Sequence, residues 1–318
     1  MTYPEALAYI SRIGRFGMKL GTERTRAILD RIGRPDRGLT GALIAGTNGK
    51  GSTGACLASI LQAAGHVVGF MPKPHLVSYT ERIQIDGIPI TERDFAQTLE
   101  DLKPTLDVIA AEMGPATEFE MLTAMALAYL APRVDRLVCE VGLGGRLDAT
   151  NALDLGVAVI TNVDLDHQKY LGDTIEEIAR EKAAIIKAGN RVITGCEGAA
   201  LAIVEDYARK AGAALWRLGE EIQVESTSRG WDGHLVTVAD HDADRAHLVL
   251  DPLGAARVLL DQSDLIVTLE QVPGQVVTDL AAADHDDVRP GVIHPPSACG
   301  AAPLPAARAG LTPVVMYS

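Results

Sequence analysis

A short apolar stretch, "ALIAG", runs straight into "TNGKGST" and then into the Ala/Leu-rich "GACLASILQAAG", and this feature most narrows what the chain can fold into. An apolar strand, a turn holding Gly46, Gly49 and Gly51, and a helix beginning near Ser52 make a strand–loop–helix unit. Such a unit belongs in a parallel α/β sheet. Its loop N–H groups and the helix N-terminus face an incoming anion, so the segment predicts a phosphate site. Thr47, Asn48, Gly49, Lys50, Gly51, Ser52 and Thr53 are its candidate residues. Lys50 can reach terminal phosphates, and the Ser52 or Thr53 hydroxyl can ligate Mg²⁺. The strict phosphate-loop pattern wants a glycine six residues before the lysine and Ser/Thr right after it. Ile44 and Gly51 stand there instead, so the alternative is a Gly-rich turn with an incidental lysine. The strand before and the helix after favour the phosphate site.

The rest of the chain repeats the alternation. Residues 1–35 read as helical, with apolar positions Ala6, Ile10, Ile13, Ile28, Leu29 and Ile32, followed by the Gly/Pro-punctuated "GRPDRGLTG". "FEMLTAMALAYLA" reads as a helix, and "RLVCEVG", "GVAVITNV" and "RVITG" as strands. "TIEEIAREKAAIIKAG" predicts a helix over 174–188, started by Asp173/Thr174 and stopped by Gly189. The expected fold is α/β, a mainly parallel phosphate-loop-type sheet flanked by helices, with a small antiparallel patch over 221–250. From Pro252 onward the chain holds 8 of its 16 prolines and no clean helical period. Residues 1–250 are therefore expected to form one ATP-binding domain, and 251–318 an atypical, partly disordered tail.

Charge and composition exclude several partners. A net charge of −13 argues against nucleic acid and anionic membranes, and 4% aromatic content against base stacking. No run approaches the ~18 apolar residues of a membrane span. The N-terminus has no basic cluster ahead of an apolar run, so no signal peptide is expected. Cys56, Cys139, Cys196 and Cys299 lie in separate segments without CxxC spacing, which predicts reduced thiols and a cytoplasmic protein.

Three further side chains carry chemistry. Glu140 closes the strand "RLVCE", and ligands of open parallel sheets gather beyond the carboxyl ends of strands. It is either a rim carboxylate or a metal ligand. His167, in "DLDHQKYLGD" after the next strand, should face the same crevice, as a solvated loop histidine or as a ligand. A hydroxyl, a carboxylate and an imidazole suit Mg²⁺ or Mn²⁺. Lys182 falls on the apolar stripe Ile175, Ile178, Ile185, Ile186 of its helix. It is either a snorkelling lysine or a desolvated, neutral and nucleophilic amine. A neutral amine can add CO₂ to give an anionic carbamate.

Six segments in order resemble the folylpolyglutamate synthase/dihydrofolate synthase family of Mur-type ATP-dependent amide ligases. They are "KLGTERTRAIL", "AGTNGKGST", "PHLVSYTERIQIDG", "FEMLTAMALAYLA", "EVGLGGRLDATN" and "DHQKYLGDTIEEIAREKAAIIK", and they span roughly residues 1–250. The resemblance implies that MgATP phosphorylates a substrate carboxylate and that the amine of L-glutamate displaces the phosphate. It implies that Lys50 and the backbone of 47–52 hold the β- and γ-phosphates. Ser52, Glu140 and His167 would surround magnesium, and Lys182 would be a carbamylated lysine; Lys182, Lys50 and His167 are thus the candidate catalytic residues. The implied partners are ATP, L-glutamate and a folate or dihydropteroate, bound by a monomer.

Two departures from the family pattern stand out. "KPHL" replaces the usual "SPHL", so Lys73 stands where the family has a serine that approaches a second magnesium. A cation there would repel the metal or substitute for part of its charge. Further on, "GAAR" stands where a "GxHQxxNAA" helix is expected, and the family's second, C-terminal α/β domain is expected to be absent. The alternative function is therefore a truncated MgATP- and pterin-binding protein without ligase turnover. A switch GTPase or kinase is disfavoured, since the guanine-specificity signal "NKxD" is absent.

Overall fold

A computed structural model of the chain describes residues 1–14 and 21–228, with further strands within 234–240, 245–250, 256–260, 266–271 and 314–316. In chain order the first elements are α1 (Tyr3–Gly14), α2 (Glu23–Arg31), β1 (Thr40–Ala45), α3 (Lys50–Ala63) and β2 (Val68–Met71). A hairpin of β3 (Gln84–Ile85) and β4 (Ile88–Pro89) precedes α4 (Glu92–Met113) and α5 (Glu118–Leu130). Then come β5 (Arg136–Glu140), β6 (Gly156–Ile160), α6 (Gln168–Leu171) and α7 (Ile175–Ala183). β7 (Arg191–Thr194), α8 (Gly198–Ala211) and β8 (Ala214–Arg217) complete the first sheet.

That sheet has eight strands in the order β4-β3-β2-β5-β1-β6-β7-β8, parallel from β2 to β8 and antiparallel at the β3–β4 edge. Side chains alternate along β1. Ala42 and Ile44 join Val68, Phe70, Val138 and Val159 beneath α3. Leu43 and Ala45 face the larger core, which includes Ile28, Phe95, Leu99, Met125 and Leu127 from the helices of the other face. Both faces being covered, β1 reads as a continuous apolar run, as buried parallel strands do. Gly54 lets α3 lie close on the sheet, since a Cβ there would come 2.8 Å from the Phe70 ring.

Among the described residues of 1–217 the expected helices and strands are present, with several differences of boundary and further elements. α3 begins at Lys50 rather than near Ser52, because Gly49 serves as its N-cap in a left-handed conformation (φ 78°). α7 starts as expected, with Thr174 and Glu177 forming a capping box, but it stops at Ala183. The Glu181 carbonyl, which Ile185 N–H would need, accepts from Arg146 N–H instead, and Ile185 and Ile186 N–H turn to Lys182 O and Ala183 O in tighter bonds. Ile185 and Ile186 remain buried in the tightened turns that follow. The 22-residue α4 carries Pro104 in its interior and a buried stripe of Phe95, Leu99, Leu102, Leu106 and Ile109.

The antiparallel patch is larger than its sequence suggests. β9 (Ile222–Ser228), β10 (His234–Asp240) and β11 (Arg245–Leu250) pair antiparallel. β12 (Ala256–Leu260), β13 (Ile266–Gln271) and β14 (Val314–Met316) extend them to six strands, the last pairing parallel. The rest of the Pro-rich segment, with Cys299, lies outside the described residues, as do Lys19 and Leu20 of the first family motif. Among the described residues no helix is long and apolar enough to cross a membrane.

Leu99→Ala would open a cavity in the fully buried centre of α4. A loss of about 2–5 kcal/mol is expected, measured by urea unfolding.

Candidate active site: a phosphate loop between two lysines and a buried carboxylate

Parallel register sets the site. Ile44 of β1 lies opposite Glu140 of β5, and Ala45 opposite Ile160 of β6. Met71 of β2 lies opposite Cys139. The carboxyl ends of four strands are thus level, and the loops leaving them meet at one edge. Gly46 opens the phosphate loop with φ 155°, where a Cβ would fall 1.8 Å from Thr161 Oγ1. The segment after β6 braces the loop. Asn48 N–H donates to Asn162 Oδ1 (2.9 Å), Thr161 Oγ1 to Asn48 O (2.7 Å) and Asp164 N–H to Thr47 Oγ1 (3.0 Å). No side chain caps the N-terminus of α3, so its leading N–H groups stay available for an anion.

Two ammonium groups converge on this loop. Lys50 Nζ donates to Gly46 O (3.0 Å) and Thr47 O (3.1 Å), and Lys182 Nζ donates to the same Gly46 O (2.9 Å). Lys182 is 4% exposed. Burial and, next, the charge of Lys50 push its pKa down from 10.5 to about 8. Its ammonium is thus buried rather than snorkelled to water. Gly46, Thr47, Lys50, Asp166, His167 and Lys182 line one cleft with the Val141–Gly144 segment. His167 precedes α6 in a left-handed conformation (φ 50°), with its ring exposed and Nε2 3.6 Å from Asp166 Oδ2.

Glu140 and Lys73 sit beneath the first turn of α3. Glu140 is 4% exposed, and its Oε2 accepts from Lys73 N–H at 2.8 Å. Burial raises its pKa, against the Lys73 N–H bond and the charges of Lys50 and Lys73. A Cβ on Gly51 would lie 3.5 Å from Glu140 Oε2, which places the carboxylate beside the turn carrying Ser52 and Thr53. Ser52 itself is exposed, as are Asn48 and Gly49. The Lys73 ammonium is buried without a hydrogen-bond partner, 3.9 Å from Asp148 Oδ1 and 3.8 Å from the Phe119 ring centre.

Carboxylate, hydroxyl and imidazole donors fit a hard divalent cation that keeps waters and phosphate oxygens in its shell. No hydrogen bond among the described residues uses Glu140 Oε1, which leaves that oxygen free to ligate. Among those residues no three or more His, Cys, Asp or Glu side chains cluster to hold a metal by themselves. Nucleotide oxygens would have to complete the shell.

The sequence reading missed the groups that hold the cleft in shape. Asp148 accepts from the N–H groups of Gly142, Leu143 and Thr150 and from the Thr150 hydroxyl. Arg146 N–H donates to Glu181 O (2.8 Å) and its guanidinium pairs with the Glu181 carboxylate (2.9 Å). Asn151 bonds Arg146 O and Ala184 O, and Lys187 Nζ donates to Asn151 Oδ1 at 2.8 Å. The loop 141–151 and α7, opposite walls of the cleft, are thereby fastened together. Only the density of Asp, Thr and Asn in "GRLDATN" hinted at this.

Fold and loop together define a phosphate-binding parallel α/β domain. Residues 44–247 match the Mur ligase middle domain. A curated relative, the dihydrofolate synthase/folylpolyglutamate synthase of Bacillus subtilis (strain 168), is 40% identical over 220 residues, covering 68% of this chain and 51% of the relative. A probable bifunctional folylpolyglutamate synthase/dihydropteroate synthase of Halobacterium salinarum is 35% identical over 321 residues, covering 95% of this chain and 39% of that protein. That alignment passes the 250-residue limit of the motif resemblance. Among solved structures, an FPGS–AMPPCP–folate complex superposes with a TM-score of 0.70 at 35% identity, covering 77% of this chain and 60% of that one. The chain belongs to the Mur ligase family, in its folylpolyglutamate/dihydrofolate synthase branch. It spans about half the length of the curated relatives it matches.

Lys182 in the folded chain releases its proton near pH 8, against 10.5 ordinarily, and Lys187 is lowered to about 8 as well. Between those pH values the unfolded chain holds protons that the folded chain has lost, so stability rises with pH across that window. Lys182→Met should reduce the rise in urea midpoint between pH 8 and 10. An equal rise in both proteins would show that Lys182 is not held neutral there.

Proposed function

We propose that this chain carries the nucleotide site of an ATP-dependent carboxylate–amine ligase that adds L-glutamate to a folate or dihydropteroate carboxylate. The observation that carries the proposal is the single cleft shared by Gly46, Thr47, Lys50, His167 and Lys182 at the N-terminus of α3. Relatives of the same branch, one of them solved as a complex with AMPPCP and folate, support the substrate class. We take the protein to act as a cytoplasmic monomer on small molecules, with its domain of 1–250 binding ATP.

An oxygen of the substrate carboxylate attacks the γ-phosphorus of ATP, and the bond to the β-phosphate oxygen breaks to release ADP. The glutamate amine then adds to the carbonyl carbon of the acyl phosphate. The tetrahedral intermediate collapses with loss of inorganic phosphate, and the nitrogen gives up a proton to leave an amide. Lys50 turns from the loop carbonyls to the phosphoryl oxygens and, with the N–H groups of residues 47–52, neutralises charge that grows on them. Mg²⁺, when held by Ser52, Glu140 and His167, supplies charge neutralisation and orientation of the triphosphate.

The Lys182 amine, neutral above about pH 8, adds to the carbon of CO₂ and loses a proton, becoming a carbamate. The carbamate turns a cation of the cleft wall into an anion able to orient Mg²⁺ or the attacking amine.

Carboxylate labelled with ¹⁸O should deliver one ¹⁸O to the released phosphate, and release should require ATP, pterin and glutamate together. MgATP binding without phosphate release would favour a non-catalytic protein. Lys50→Ala should lower kcat/KM by at least ~10²-fold, the scale of one lost transition-state donor. Lys182→Ala should lose activity and regain part of it with added short carboxylates; wild-type activity in that variant would eliminate the carbamate.

A further inference from the structure

We propose that the Lys73 ammonium is a fixed counter-charge for the buried carboxylates of Glu140 and Asp148, and that through Glu140 it limits how tightly the cleft holds a divalent cation. The proposal rests on Glu140 being a ligand of that cation. Lys73 leaves the end of β2 where Met71 is level with Cys139, so its main chain meets Glu140, and its N–H donates to Oε2 at 2.8 Å. Most lysines send the ammonium to water. This one turns inward, with its side chain 10% exposed and no partner for any of its three N–H groups.

Burial pushes the pKa of this ammonium down, and the charges of Asp148 and, less strongly, Glu140 oppose that shift and favour the charged form. Its surroundings are anionic: Glu140 and Asp148 are each 4% exposed, Asp148 Oδ1 lies at 3.9 Å, and the Phe119 ring face lies at 3.8 Å.

The two carboxylates differ in what remains free. Four donors from Gly142, Leu143 and Thr150 occupy both oxygens of Asp148. Glu140 has Oε2 bonded to Lys73 N–H, while its Oε1 stands near the first turn of α3, 3.9 Å from where a Gly51 Cβ would lie. That free oxygen is the one able to ligate a cation, and it does so in the field of a lysine whose charge cannot move away. The positive charge of Lys73, which acts on the Glu140 carboxylate, opposes a second, divalent charge there. Lys73 thus acts as a positioning and cation-tuning residue that itself touches no reacting atom.

The test counts bound Mn²⁺ directly, from the electron paramagnetic resonance signal of the free ion, with the full chain saturated in AMPPCP. Lys73→Met should bind Mn²⁺ about 10-fold more tightly than wild type, the order expected for removing one nearby charge in a largely screened site. Glu140→Gln should weaken binding, and adding Lys73→Met to Glu140→Gln should restore nothing. Lys73→Gln, whose amide can bond Asp148, gives the same readout if methionine does not fold. Unchanged or weaker Mn²⁺ binding in the folded neutral variants, with Glu140→Gln still weakened, overturns the role of Lys73 and leaves the ligase proposal standing. Wild-type binding in Glu140→Gln removes the ligand itself, and both proposals about Glu140 fall with it.

Discussion

Two ammonium groups, those of Lys50 and Lys182, donate to one carbonyl oxygen, that of Gly46. A single neutral acceptor between two like charges is a poor resting arrangement, and an anion entering the cleft would relieve it. Everything else at this edge of the sheet serves to bring those two nitrogens together. The loop leaving β1 supplies the carbonyl and α3 supplies Lys50; Lys182 arrives on α7 from more than a hundred residues further along the chain. The placement of α7 depends on Asn151, Arg146 and Lys187, which bind its last turn to the loop leaving β5.

The central strands also decide which charges the cleft can tolerate. Because β2, β5, β1 and β6 end level, Lys73, Glu140, Gly46 and Thr161 all leave the sheet side by side. Lys50 and Lys182 face the cleft against one lining carboxylate, Asp166, although the chain as a whole carries −13. The local field favours a polyphosphate while the global field discourages nucleic acid.

The phosphate loop, β1, β5, β6 and the Thr174 start of α7 were legible because each rests on short-range rules: an apolar run, a glycine turn, a capping box. Lys182 was legible as a residue out of place on an apolar stripe, and its burial shows that it does not snorkel to water. α4 was not read from the sequence, although its Phe95, Leu99, Leu102, Leu106, Ile109 spacing is regular. The end of α7 was misplaced because the main chain of Arg146, far off in sequence, captures the Glu181 carbonyl. The role of Asp148 depends on a loop folding back on itself, which no periodicity reports. Strands β12 to β14 lie in a proline-rich segment whose composition argued against regular structure.

The bracing of Thr47 and Asn48 by Thr161, Asn162 and Asp164 has a further consequence. The loop that must wrap a triphosphate is already held in shape by a neighbouring strand's exit segment. Little conformational freedom remains to be surrendered when a nucleotide arrives, so affinity should follow the number of anion contacts rather than the cost of ordering the loop. The same bracing ties the phosphate loop to the segment that leads on to His167.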